Sequence, residues 1–151
     1  YRESMAGKRD FKESEAAYKF KVGRAYISCK IDRIETTVDG KLYIVDFKTG
    51  KSAITTEDAK TDAQMQIYQY AAGLEGADIA GASLVYLDHD LKGNRTRDQL
   101  PINRQVVEER IEKTAVSMGG KRYLAVKNSN CQFCNVSSSC PLQSEGRGLY
   151  E

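Results

Sequence analysis

The sequence has 151 residues, the size of one ordinary domain and long enough to bury a self-sufficient hydrophobic core. Hydrophobic residues make up 40% of it, charged residues 29%, and only two prolines occur, which excludes disordered, collagen-like and proline-rich repeat proteins. The net charge is only +2, so any binding of nucleic acid would have to come from a local patch of basic residues. No apolar run approaches the roughly 20 residues that span a bilayer.

The first 20 residues are rich in charge and show little periodicity, which predicts a charged leader, a frayed helix or an edge segment. The sequence opens with neither a start methionine nor a signal peptide, so we expect a piece of a longer protein. We divide it into a leader over 1–20, a core over 21–127 and a cysteine-containing tail over 128–151.

Two strands open the core. The stretch 24–34 is rich in aromatic and β-branched residues, and so is the stretch 42–47. Asp39-Gly40 between them predicts a hairpin with a two-residue type I′ turn, because both central residues of that turn need a positive φ.

Helices and a third strand complete the predicted core. Thr55 starts a helix that continues through 59–74, 82–87 is a strand, and Asn103 caps a second helix that ends at Gly119-Gly120. This order predicts an α/β (α+β) domain with a small mixed β-sheet flanked by helices.

Asp46 and Lys48 stand two residues apart on a predicted strand, so their side chains share one face, and Tyr43, Val45 and Phe47 then face a helix-covered core. The alternative interpretation of the pair is an ordinary charge pair on a half-exposed strand.

Asp32 lies in the apolar run 31–34, where a carboxylate has no packing role. A two-residue turn pairs Val38 with Lys41 and puts Asp32 opposite Phe47, whereas a slip of one residue brings Asp32 onto the face of Asp46. Converging carboxylates repel each other unless a cation lies between them, and Mg²⁺ or Mn²⁺ suits such oxygen ligands.

Three motifs in this order resemble the PD-(D/E)xK nucleases: Ile31-Asp32-Arg33-Ile34, Ile44-Val45-Asp46-Phe47-Lys48-Thr49-Gly50, and Gln64-Met65-Gln66-Ile67-Tyr68. The closer resemblance is to the RecB-like branch, which includes the nuclease domains of AddAB, AdnAB and RecBCD-type helicase-nucleases. It covers roughly residues 15–147 and implies a restriction-endonuclease-like core.

The resemblance also implies roles for individual residues. Asp32 and Asp46 would bind the metal ion, with the Phe47 backbone carbonyl as a further ligand, and Lys48 would be the catalytic lysine. Glu15 stands where some relatives carry an additional acid, although a charged leader explains it equally well.

Gln64 and Tyr68 would line the active site from the helix, and their i, i+4 spacing independently puts them on one helical face. The alternative is a tyrosine that packs beside a polar neighbour. Gln66 and Tyr70 have the same spacing on the adjacent face, so a shift in register would exchange the two pairs.

Two features depart from the family pattern. Cys29 stands where glycine is usual, and a strand cysteine behaves as a small buried hydrophobe. The family carries a histidine upstream of these motifs, whereas the only histidine here, His89, follows the third strand beside acidic residues, as a loop residue or a metal contact.

Cys131, Cys134 and Cys140-Pro141 have the spacing C-x₂-C-x₅-C-P, which is typical of iron–sulfur or zinc ligation. In the resembling nucleases an upstream cysteine completes a [4Fe–4S] cluster, so we expect the cluster in the parent protein and an incomplete one here. Cys29 is the only internal candidate for a fourth ligand. Zinc and three free thiols are the alternatives.

Several basic residues are candidates for phosphate contact, and each could equally be an ordinary solvated charge. They are Lys51, Lys60, Lys121, Arg122 and Lys127. Lys51 and Lys60 are preferred as DNA-binding residues because they flank the predicted site.

The leading hypothesis is an Mg²⁺- or Mn²⁺-dependent DNA exonuclease domain of an ATP-dependent helicase-nuclease in double-strand break repair. Its partners would be DNA, the helicase domain of the parent chain and a second helicase-nuclease subunit, in the cytoplasm and without a membrane. The alternatives are a catalytically incomplete DNA-binding module and a stand-alone CRISPR or phage RecB-like exonuclease.

Overall fold

The computed structural model describes residues 8–87, 95–120 and 125–142. The chain forms two compact units, Tyr1–Ala115 and Val116–Glu151. The elements, in chain order, are strands β1 (Arg9–Val22), β2 (Ala25–Thr37) and β3 (Leu42–Lys48), helices α1 (Thr56–Lys60) and α2 (Ala63–Ala72), strands β4 (Ile79–Tyr86) and β5 (Thr96–Gln99), helix α3 (Arg104–Met118), and two short 3₁₀ helices (Ser129–Phe133 and Ser137–Ser139).

The five strands form one sheet in the order β1-β2-β3-β4-β5. β3 and β4 are parallel and are joined through α1 and α2, and the other neighbouring pairs are antiparallel. The predicted small mixed sheet with flanking helices is therefore confirmed. The main core lies between this sheet and α2, where Ile31, Ile44 and Met65 are fully buried.

Residues 9–20 form most of β1, which is an edge strand of the sheet. Of the leader, the frayed helix and the edge segment predicted for this region, the structure therefore has the edge segment. Ala16, Phe20 and Val22 are buried and Tyr18 is half-buried at alternating positions, whereas Ala17, Lys19 and Lys21 are exposed. The alternation covers only the second half of the strand, which is why the sequence shows so little periodicity.

The β2–β3 hairpin turns through three residues, Val38–Gly40, and not through the predicted two. The Thr37 backbone N–H donates to the Lys41 carbonyl at 2.8 Å, and Gly40 adopts a left-handed φ of +82°. A three-residue loop with glycine at its left-handed position is the next most common hairpin connection after the two-residue turns.

The extra loop residue changes the register of the hairpin by one. Arg33 pairs with Val45, and the same register places Asp32 opposite Asp46. The predicted pairing of Asp32 with Phe47 is therefore wrong, and the slipped alternative is the observed one.

The prediction that Tyr43, Val45 and Phe47 face the helix-covered core is also wrong. Leu42 and Ile44 belong to the core beneath α2, so Asp46, at the next alternate position, faces that helix. Since β3 is apolar on both faces, its alternation could not identify the helix-covered side.

The predicted helix after β3 is divided in two. Thr55 caps α1 as expected and accepts a hydrogen bond from the Asp58 backbone N–H at 3.0 Å. Asp62 then caps α2 by accepting from the Met65 backbone N–H at 2.9 Å, so Gln64 lies in the first turn of the second helix. Among the described residues, no helix is long and apolar enough to cross a membrane.

Candidate active site

Four polar side chains meet where β3 ends beneath the first turns of α2. Asp46 Oδ2 lies 2.7 Å from Lys48 Nζ, and Lys48 Nζ donates to Gln64 Oε1 at 2.7 Å. Gln64 Nε2 donates to Asp46 Oδ1 at 3.3 Å and to the Tyr68 hydroxyl at 2.8 Å. We call these four residues, together with Asp32, the acid–lysine cluster.

Asp32 joins the cluster from the neighbouring strand. Its Oδ2 accepts a hydrogen bond from the Phe47 backbone N–H at 2.8 Å, in the gap beyond the last β2–β3 pair, Arg33 and Val45. Its charge also acts on Asp46, because it contributes to the raised pKa of that residue. The structure thus brings both predicted acids to one end of β3.

Asp46 is a carboxylate with 3% of its surface exposed. Burial raises its pKa above the ordinary value, and the opposing effect of Lys48 does not cancel that rise. Lys48 Nζ is the one close partner of the buried Asp46 Oδ2 among the described residues, and no hydrogen bond of good geometry reaches that atom.

Burial lowers the pKa of Lys48, but the close ion pair with Asp46 outweighs that effect and the pKa rises. Lys48 is therefore a cation at neutral pH. Burial also raises the pKa of Tyr68, so its hydroxyl remains protonated.

Gln64 and Tyr68 are the helix residues that face the acids, whereas Gln66 and Tyr70 face α3. Gln66 Oε1 accepts from Arg110 Nη1 at 2.7 Å, and the Tyr70 hydroxyl donates to Glu108 at 2.7 Å. The register predicted for Gln64 and Tyr68 therefore places them in the cluster.

The donor set suits a hard divalent cation. Two carboxylates share the site, and the buried Asp46 Oδ2 has unfilled acceptor capacity. Within the described ranges no group of three or more His, Cys, Asp or Glu side chains could hold a metal ion, so ligands beyond these two carboxylates would have to complete the coordination.

Sequence reasoning missed the residues that fix the loop after Lys48. The Tyr86 hydroxyl accepts from the Ile54 backbone N–H at 3.1 Å, and Arg97 Nε donates to the Ile54 carbonyl at 2.7 Å. Arg97 belongs to β5, whose four residues, Thr96–Gln99, have no apolar alternation that could predict a strand.

Three other predicted site residues lie outside the acid–lysine cluster. Glu15 is exposed and pairs with Lys30, Lys60 pairs with Glu57 at 2.6 Å, and Lys51 is exposed beyond the end of β3. Their proposed roles as an additional acid and as DNA-binding residues stay predictions.

Cys131, Cys134 and Cys140 all line one open cavity in the second unit, and the Asn128 backbone N–H donates to Cys131 Sγ at 3.3 Å. All three are free thiols. Cys29 is half-buried against the hydrophobic core, and burial raises its pKa.

Three other predicted candidates, His89, Lys121 and Arg122, lie outside the described residues. Lys127 is described and is exposed in the second unit.

A sequence profile of the PD-(D/E)XK nuclease superfamily matches residues 1–141. Among solved structures, the crystal structure of SSO0001 is similar to this chain, with 20% identity and a TM-score of 0.50. The similarity covers 85% of this chain and 59% of the SSO0001 chain, and at this identity it shows the fold alone. No curated protein matches the chain.

Proposed function

Because this chain belongs to the PD-(D/E)XK nuclease superfamily, we propose that it is a metal-dependent DNA exonuclease domain of a RecB-like helicase-nuclease that acts in double-strand break repair. Its five-stranded mixed sheet with flanking helices agrees with the restriction-endonuclease-like fold of that superfamily. The observation that carries the proposal is the meeting of Asp46, Lys48 and Gln64 beneath α2, with Asp32 beside them.

Asp32 and Asp46 would hold a Mg²⁺ or Mn²⁺ ion, with the Phe47 carbonyl as a further ligand. Such an ion, when bound, lowers the pKa of a coordinated water and stabilises negative charge on a phosphoryl oxygen. The buried, incompletely satisfied Asp46 Oδ2 supports this assignment, because a carboxylate oxygen in that state gains from a cation.

Lys48 supplies a fixed positive charge. Because its pKa is raised, it is an ammonium group that cannot accept a proton from water, so its role is to stabilise the negative charge that develops on the phosphate. Gln64 accepts from Lys48 and donates to Asp46, and so fixes the ammonium and the carboxylate relative to each other.

Tyr68 is suited to bind a phosphate oxygen. Its hydroxyl accepts from Gln64 Nε2, and its own proton has no acceptor among the described residues. The raised pKa keeps that proton in place, so the hydroxyl is available as a donor to the substrate.

Cleavage of linear DNA by the 151-residue chain, with and without Mg²⁺, tests the proposal. Asp46→Ala should abolish cleavage, whereas Glu109→Gln, which removes a charge from the exposed face of α3, should leave it intact. Undiminished cutting by Asp46→Ala would refute the mechanism. Metal-independent DNA binding without any product would favour the catalytically incomplete module.

We also propose that Cys131, Cys134 and Cys140 supply three ligands of a [4Fe–4S] cluster in the parent protein. Their C-x₂-C-x₅-C-P spacing and their common cavity support the proposal, although the three thiols of this chain do not themselves form a group that could hold a metal ion. Anaerobic reconstitution of the parent protein should give the broad visible absorption of an iron–sulfur cluster. Colourless protein with stoichiometric zinc would overturn the cluster assignment.

A further inference from the structure

The part of the β1–β2 hairpin nearest its turn carries basic residues and no acidic ones. Residues 16–31 contain Lys19, Lys21, Arg24 and Lys30 and no aspartate or glutamate, so these 16 residues hold more positive charge than the net +2 of the whole chain. The acidic residues of β1 all precede Ala16 in the sequence.

The register of the hairpin gathers these charges on one face. Lys21 pairs with Tyr26, Lys19 with Ser28, and Ala17 with Lys30, and all six residues are exposed. The residues that alternate with them, such as Phe20 and Ile27, pack against α2 and α3. We call the face formed by the six residues Ala17, Lys19, Lys21, Tyr26, Ser28 and Lys30 the hairpin strip.

The side chains of the hairpin strip are largely free to bind a ligand. Lys19 and Lys21 have no ion-pair partner among the described residues, and Lys30 pairs only with the exposed Glu15. Tyr26 is 73% exposed, so an aromatic ring lies in water beside the lysines. Lysines on the edge strand β1 also discourage edge-to-edge aggregation, but that role does not explain Tyr26 or Lys30 on the inner strand β2.

The hairpin strip lies on the face of the sheet opposite α2 and α3. Lys19 and Lys21 stand two residues apart on β1, which separates their Cα atoms by about 7 Å, comparable with the separation of successive phosphates on a single nucleic-acid strand. A cationic track with an exposed aromatic ring is the combination that binds single-stranded nucleic acid through its backbone and by base stacking.

We propose that the hairpin strip, on the face of the sheet opposite α2, binds a single DNA strand, with Lys19 and Lys21 on phosphates and Tyr26 stacked on a base. This inference rests on the proposed function, because it takes DNA as the ligand from that function. It gives the chain a local cationic patch where the overall charge is nearly balanced.

Binding is measured with EDTA present, by fluorescence anisotropy of a short labelled polythymidine strand, so that no cleavage occurs. Lys19→Ala/Lys21→Ala should weaken binding about tenfold at low salt and reduce the slope of log K against log salt by about 1.4. Lys113→Ala, which removes an exposed lysine from α3, is the matched control and should change neither quantity.

Tyr26→Ala should weaken binding at least about fivefold, whereas Tyr26→Phe should keep it, because stacking needs the ring and not the hydroxyl. Lysine acetylation of the unmodified chain gives a readout that does not depend on any variant. The single strand should protect Lys19, Lys21 and Lys30 and leave Lys113 reactive.

Three outcomes would overturn the proposal. They are an unchanged affinity and salt slope in the double lysine variant, equal protection of Lys113, and a loss of affinity confined to duplex DNA. Retained single-strand binding without any cleavage when Mg²⁺ is added would leave the hairpin strip in place and count against the proposed nuclease activity instead.

Discussion

Removing the Gln64 side chain should reduce DNA cleavage without unfolding the protein. Gln64→Ala deletes the acceptor for Lys48 at 2.7 Å, the donor to Asp46 at 3.3 Å and the donor to Tyr68 at 2.8 Å. Residues that hydrogen-bond to metal-binding carboxylates typically contribute 10–100-fold to metal affinity or activity, or about 1.4–2.7 kcal/mol. The bond to the Lys48 ammonium is charge-assisted, and its usual contribution of about 1.5–3 kcal/mol agrees with that range.

Initial rates of cleavage of a linear DNA substrate, at saturating Mg²⁺ and over a range of DNA concentrations, measure the effect. We expect kcat to fall 10–100-fold, and the melting temperature to stay nearly constant because Gln64 is exposed. Gln66→Ala is the matched control, since Gln66 lies two residues away on the same helix and contacts Arg110 of α3. A Gln64→Ala rate within twofold of the parent, or an equal loss in Gln66→Ala, would refute the assigned role.

Gly81→Ala should destabilise the fold by about 2–5 kcal/mol and lower the melting temperature by roughly 5–15 °C, because Gly81 has a φ of +140° and a Cβ there would lie 2.7 Å from the Gln99 carbonyl oxygen. Gly50→Ala, with nothing within 4 Å, should change the melting temperature little, and equal thermal melts for the two variants would contradict this account. Burial raises the pKa of Cys29, so a smaller fraction of this thiol is ionised at pH 8 than its ordinary pKa would give. Cys29 is also half-buried, so it should react with a thiol reagent more slowly than the exposed Cys134, and its rate should rise with pH. Peptide mapping after timed alkylation checks the order, and faster labelling of Cys29 would contradict it. EDTA should abolish cleavage, and added Mn²⁺ should restore it. Because the ion binds the folded protein, the melting temperature should rise with the Mn²⁺ concentration. Cleavage that persists in EDTA would exclude a divalent ion from the reaction.

The parts of the site that sequence could predict are those set by local spacing. Asp46 and Lys48 share a strand face at i, i+2, and Gln64 and Tyr68 share a helix face at i, i+4, so each pair follows from one element alone. The meeting of the two pairs depends on the crossover from β3 through α2 to β4, which the predicted order of elements already contained.

What sequence could not predict depends on choices between near-equal local alternatives. Asp39-Gly40 suits both a two-residue and a three-residue hairpin loop, and only the longer loop aligns Asp32 with Asp46. β5 is short and polar, so its buried Gln99, which donates to the Ala59 carbonyl at 2.8 Å, gave no sign of its position beneath α1.

The three-residue connection Val38–Gly40 also sets a limit on how this domain can change over evolutionary time. Surface loops usually absorb insertions and deletions readily, since their length rarely affects the interior. Here the loss or gain of one codon would turn every side chain of β3 to the opposite side of the sheet, or force a compensating bulge. Substitutions at Val38, which is 86% exposed, are open to drift, whereas the number of residues in this connection is not.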